Sequence, residues 1–102
     1  MILLELVPPA GEVATLYATI DREDYWHAQF AWRWARHGHN REKVYAYRKV
    51  KSRGGVWTKL YLHRAIMDPP DGMVVDHVNG DTLDNRRGNL RNVGYRENAY
   101  NV

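Results

Sequence analysis

VVDHVNGDTLDNRRGNLRNVGYRENAYN, residues 74–101, concentrates the chemistry of this 102-residue chain. An Asp-His pair, Asp76 and His77, precedes a loop rich in Asn, Asp, Gly and Arg. Asn89 follows twelve positions after His77, and Asn98 nine after that. MVVDHV, residues 73–78, reads as a strand, and Asn79-Gly80-Asp81 as the turn that ends it. Residues 90–93 read as a returning strand and 96–101 as a short helix, with Asn98 and Asn101 on neighbouring positions of one face. Adjacent strand residues face opposite ways, so Asp76 and His77 can share a site only at a twist, a bulge or a strand end.

These residue types suit phosphodiester hydrolysis. An imidazole with an ordinary pKa of about 6.5 accepts a proton near neutrality. The Asp76 carboxylate and the Asn98 amide oxygen are hard ligands of the kind Mg²⁺ takes. DHVNGD, LDNRRGNLR and a later Asn, in that order and with LHR (residues 62–64) as lead-in, resemble the HNH nucleases. The variety is the His-Asn-Asn one of phage and homing endonucleases, with a ββα-metal fold. The resemblance covers the last third of the chain well and implies a metal-dependent DNA endonuclease. It makes His77 the general base, and Asp76 and Asn98 the ligands of one Mg²⁺ or Mn²⁺ ion. It makes Asn89 the central Asn that ties the loop and helps orient His77. One such centre per chain implies nicking of one strand at a time by a monomer or weak homodimer. The alternatives are an accessory subunit that needs a partner, such as phage packaging proteins, and a DNA-binding module with little cleavage of its own. Gly94 stands where the family often has a Ser or Thr cap, and only four residues follow Asn98, so a short closing helix is expected.

Upstream, charge is unevenly placed. Residues 1–32 carry −4, residues 33–64 carry +9 with Glu42 as their one acid, and residues 65–102 carry −2. A basic block of that density favours a polyanion, nucleic acid, as partner, and the resemblance makes that partner double-stranded DNA. The candidate phosphate contacts are Arg33, Arg36, Arg48, Lys49, Arg64, Arg86 and Arg87. Arg86 or Arg87 can instead pair with Asp81 or Asp84, and His63-Arg64 can equally be helix surface.

Period-two alternation predicts strands over residues 12–20, 30–37, 43–50 and 56–62, after an apolar first run stopped by Pro8-Pro9. Asp21 is expected to cap a helix over 21–30, and residues 60–67 a second one ended by Asp68-Pro69-Pro70. Trp and Tyr on the strands serve either the core or stacking on nucleic acid, and Trp26, Trp32 and Trp57 are candidates for a dimer seam. The expected fold is α+β and a single domain: a basic antiparallel sheet over 1–60 and a ββα-metal motif over 61–102. The chain has no cysteine for disulfides or thiolate sites, and no apolar run as long as a membrane span. Its first residues lack the positive start of a signal peptide, which leads to a cytoplasmic expectation with no membrane partner.

Overall fold

A computed structural model of the chain describes residues 1–37 and 41–94. Seven strands with one short α-helix and two 3₁₀ helices make it mostly sheet. Strand β1 (Ile2–Leu6) pairs antiparallel with β2 (Leu16–Ile20), Leu6 opposite Leu16. The second strand starts later than its alternation predicts, because its partner runs out. Val7 turns to β3 (Arg33–His37), donating its N–H to Trp32 O at 2.9 Å and accepting from Trp34 N–H at 3.0 Å. Pro8 has no N–H to offer a ladder. Residues 12–15 are therefore left without a strand to pair with, and Val13 stands 94% exposed.

Residues Arg22–Gln29 form a 3₁₀ helix without a side-chain cap from Asp21. The Asp21 carboxylate instead accepts the Arg87 backbone N–H at 2.8 Å. The three strands β3, β4 (Lys43–Lys51) and β5 (Trp57–Tyr61) follow as an antiparallel sheet in that order. Gly55, at φ +83°, takes the left-handed position in the turn between β4 and β5. Helix α1 (Leu62–Met67) begins directly after β5. It stops at Asp68, whose N–H reaches Arg64 O at 2.8 Å with φ 43°; Pro69 disfavours a right-handed helical residue before it. Strands β6 (Met73–His77) and β7 (Leu90–Gly94) close the described chain as an antiparallel pair.

The expected single N-terminal sheet is in fact two, a hairpin and a three-stranded sheet. Pro8-Pro9 and the 3₁₀ helix interrupt the chain between them, and only the Val7–Arg33 bridge joins them. The helix expected at residues 96–101, with Asn98, lies outside the described residues. One buried cluster draws on all three sheets and α1: Leu4 and Leu6, Ala18 and Ile20, Trp32 and Trp34, Ala46, Leu62 and Ile66, and Leu90. Each large side chain buried there stabilises the fold by about 1.5–3 kcal/mol. Trp32 and Trp34 are core residues, at 2% and 1% exposure, so Trp32 drops out of any dimer seam; Trp26 and Trp57 are exposed. Among the described residues no helix is long and apolar enough to cross a membrane.

Candidate active site

His77 is the last residue of β6, where the chain leaves the sheet into a turn with Gly80 at φ +79°. Its imidazole is buried, and Nε2 lies 2.8 Å from Asn85 Oδ1. An amide oxygen can only accept, so Nε2 carries the proton and Nδ1 keeps its lone pair. Asp76 precedes it on the more open side of the strand. Arg91, its cross-strand partner on β7, donates from Nε at 3.1 Å and from a terminal nitrogen at 3.0 Å, both to Oδ2. The other carboxylate oxygen, Oδ1, takes no hydrogen bond from the described residues.

The loop that carries Asn85 is tied down along its length. Asn79 Oδ1 accepts the Asp81 N–H at 2.8 Å and Asp81 Oδ1 accepts the Leu83 N–H at 3.0 Å, two Asx turns in succession. Asn89 crosses the loop: its Oδ1 accepts the Asn79 N–H at 3.0 Å, and its amide donates to Asp84 O at 2.9 Å. It also accepts the Val78 N–H on its backbone oxygen. Asn89 thus closes the loop, while the side chain bonded to His77 is Asn85. The edge of β2 fixes Asn85 in turn, since Leu83 O accepts from Thr19 N–H and Thr19 O accepts from Asn85 N–H, both at 2.8 Å. Thr82 Oγ1 donates to Val44 O and ties the loop to β4 as well.

Arg86 and Arg87 belong to this framework. Arg86 grips Asp84 through two nitrogens at 2.8 and 2.7 Å, holding that carboxyl below its ordinary range. Arg87 grips Asp24, fully buried on the 3₁₀ helix, at 3.0 and 2.8 Å. Asp84 is thus one of the partners offered by the sequence for this pair, whereas Asp24 and Asp21 are partners from the far end of the chain. Arg86 and Arg87 keep almost half of their side-chain surface exposed.

The register of β3–β5 sorts the basic block by face. Arg33, Tyr47 and Tyr61 share one row, Lys49 and Lys59 another, and Lys51 and Trp57 a third. With Lys43 and Tyr45 they make a face of five exposed cations and four aromatic rings that, among the described strand residues, bears no carboxylate. Lys59 lies 4.7 Å from the Tyr47 ring centre and Lys51 5.9 Å from that of Trp57. Arg36 and Arg48, named with Arg33 and Lys49 as DNA contacts, fall on the reverse face because strand residues alternate. Arg36 pairs with Glu12 at 3.1 Å, and the Arg48 guanidinium lies 3.8 Å over Phe30 with its Nε buried and unpaired. Lys43, Lys51 and Lys59, which alternate with Tyr45, Tyr47, Trp57 and Tyr61 along β4 and β5, join Arg33 and Lys49 as cations of that face.

A chain of rings links that face to His77. Tyr45 is 6.0 Å from His77 and 5.6 Å from His63, and His63 is 4.8 Å from His77. Burial pushes His77 below the ordinary imidazole value, opposed by the Asn85 bond and by Asp76, Asp81 and Asp84. Burial, then His77 and Arg64, push His63 down to about 3, so it is neutral at any working pH. Burial raises the Tyr45 hydroxyl, with Tyr61 and the Asp76 charge adding to it.

No three His, Cys, Asp or Glu side chains cluster as a metal cage among the described residues. A Mg²⁺ site needs none, since that ion is held by one or two protein oxygens and completes its shell with water and phosphate. The Asp76 carboxylate, whose Oδ1 takes no hydrogen bond from the described residues, fits that donor set, and the second expected ligand, Asn98, lies outside the described residues. Compared with known proteins, residues 68–100 match the family model described as HNH endonuclease. No curated protein and no solved structure matches the chain.

Proposed function

We propose that this chain is a metal-dependent DNA endonuclease of the His-Asn-Asn variety of HNH enzymes, nicking one strand at a time. The observation that carries the reading is His77, held through Nε2 by Asn85 so that Nδ1 keeps its lone pair, next to a carboxylate whose Oδ1 takes no hydrogen bond from the described residues. The match of residues 68–100 to HNH endonucleases supports it.

In this reading His77 Nδ1 takes a proton from water as the water oxygen attacks the scissile phosphorus. The bond to the 3′ oxygen breaks, leaving 5′-phosphate and 3′-hydroxyl ends. Asp76 Oδ1 and the Asn98 side chain hold Mg²⁺ or Mn²⁺, which when bound supplies positive charge to the phosphorane and the leaving oxygen. Arg91 holds the Asp76 carboxylate through Oδ2, which leaves Oδ1 for the ion. Asn89 holds the loop, and through it Asn85, in place. Arg33, Lys49 and Arg64, with Lys43, Lys51 and Lys59, lie along the duplex backbone as point charges. Arg86 and Arg87 offer their exposed edges to the strand at the site.

The test is supercoiled plasmid incubated with pure protein and Mg²⁺, Mn²⁺ or EDTA. Open-circular product is expected first with either ion, linear product later, and neither in EDTA. His77→Ala is expected to lower turnover on the order of 10²–10⁴-fold while leaving DNA binding in place. Wild-type turnover in the His77→Ala protein, or undiminished cutting in EDTA, sinks the reading.

A further inference from the structure

We infer that the pocket beside His77 is a nucleoside subsite, which takes one unstacked base with its sugar from the strand being cut. The inference rests on the nuclease reading and gives its site a substrate unit.

The pocket has a volume of about 220 Å³ and is walled by Tyr45, Tyr61, His63 and Val75, with His37 and Arg64 at its rim. Its rings do not stack on one another. Tyr45 and Tyr61 meet at 74° with centres 5.9 Å apart, and each is tilted by about 42–43° to His63. Ring faces set at such angles leave surfaces for a flat guest, and every base has a π-face to offer them. The polar groups are those that read a base edge. Two phenol hydroxyls donate or accept, and the neutral His63 imidazole presents one donor and one acceptor.

Charge selects the guest further. Among the described residues no carboxylate lines the pocket, and Arg64 stands exposed at its rim, where a phosphate of the same nucleotide would lie. The five-cation face of β3–β5 is continuous with it, since Tyr45 and Tyr61 belong to both. Position identifies which nucleotide. Tyr45 is a shared wall, 6.0 Å from His77 on one side and within the field of Asp76. A guest there is therefore a neighbour of the bond at which the Asp76–His77 pair acts. A base inside an intact duplex stack cannot enter, so occupancy requires extrusion, at a cost that is least where pairing is already broken.

The test is competition binding in EDTA with unaltered protein. It compares a short paired duplex, the same duplex with one mismatch, and the same duplex with an abasic residue at that position. The mismatched duplex is expected to bind about tenfold tighter or more than the paired one. The abasic duplex, equally easy to unstack but with no base to insert, is expected to lose most of that gain. Tyr61→Leu is expected to erase the mismatch gain, read as the ratio of mismatched to paired affinity, and Tyr61→Phe to keep it; Arg64→Gln on the surface is expected to reduce that ratio. Equal affinity for paired and mismatched duplex overturns the subsite. So does a gain that the abasic duplex matches or that survives Tyr61→Leu. Plasmid nicking without a mismatch gain removes the subsite alone. A mismatch gain without nicking removes the nuclease reading and leaves a nucleoside-binding pocket.

Discussion

Asn85 and Asn89 are four residues apart and do different work, which makes them a paired test. Asn85 touches His77 and fixes which imidazole nitrogen carries the proton. Asn85→Ala is expected to lower kcat by roughly 10–100-fold, the usual loss when the partner that sets a histidine's tautomer is removed, with KM little changed. Asn85→Asp keeps an acceptor at the same place and is expected to recover part of that loss. Asn89 bonds the Asn79 amide and the Asp84 carbonyl across the loop. Asn89→Ala leaves the buried Asp84 carbonyl without that donor and the part-buried Asn79 N–H without that acceptor, and is expected to cost about 1–3 kcal/mol in urea unfolding. A kcat collapse in Asn89→Ala at unchanged stability would reverse the two assignments. His63 supplies a pH test. Its folded pKa of about 3 lies below the 6.5 it has when unfolded, so on acidification the unfolded chain takes up a proton that the folded one refuses. Stability due to neutral His63 is complete above pH 6.5 and falls between there and about 3, by up to about 1.4 kcal/mol per pH unit. His63→Gln is expected to lose less stability than wild type between neutral pH and pH 5, and an unchanged acid slope would show that His63 does not carry it. His77, pushed down by the same cause, is expected to hold turnover to lower pH than an ordinary imidazole would.

Between elements, the ties that hold the site are ones a linear reading has no means to pair. Asp24 on the 3₁₀ helix and Arg87 in the loop are separated by 63 positions, yet meet in a two-bond ion pair, with Asp21 holding the Arg87 amide beside it. The two ends of this pair are not equivalent. Asp24 is 1% exposed, while Arg87 keeps 45% of its side-chain surface in water. Removing Arg87 strands a buried carboxylate, a loss on the order of 3–5 kcal/mol when the partner is fully enclosed. Removing Asp24 only returns a half-solvated guanidinium to solvent. Arg87→Ala is therefore expected to lower the urea midpoint more than Asp24→Asn, and equal losses would mean that the exposed half of Arg87 contributes nothing. The local signals were legible: alternation gave β3, β4 and β5, the Asp68-Pro69-Pro70 stop gave the end of α1, and Asn79-Gly80-Asp81 gave the turn after His77. Asp21 was misassigned because a first-turn acid looks the same in sequence whether it caps its own helix or accepts a distant amide. Asn85 and Arg91 were missed because their roles depend on loop path and strand register. The register that sets Arg91 opposite Asp76 follows from how the loop of residues 78–89 closes, and Asn89 closes it from outside the strands.

At the scale of the whole molecule, a net charge of +3 conceals a division of labour among the cations. Arg86, Arg87 and Arg91 are committed to Asp84, Asp24 and Asp76 around the site. Arg36 is committed to Glu12, and Arg48 to the rings of Phe30 and Trp32. Arg33, Lys43, Lys49, Lys51 and Lys59 lie on a sheet face that carries no carboxylate among the described strand residues and whose aromatic rows lead to Tyr45, His63 and His77. Each cation there that neutralises a phosphate releases a counterion. The slope of log affinity against log salt therefore counts the contacts, at about 0.9 per phosphate on a duplex. Neutralising Lys49, Lys51 and Lys59 together is expected to flatten that slope by roughly two to three units. Neutralising Arg36 and Arg48 together is expected to leave the slope within about half a unit of wild type, although Arg48→Gln should lower thermal stability by removing its packing on Phe30. The comparison separates face from sum, because both sets lie in the same +9 stretch of sequence. If the Arg36 and Arg48 pair flattened the slope as much as the three lysines, the duplex would have to run along the reverse side of the sheet. Trp34, Ala46 and the rest of the buried cluster occupy the middle of that side, so such a duplex would have to run along its exposed margin at Arg36.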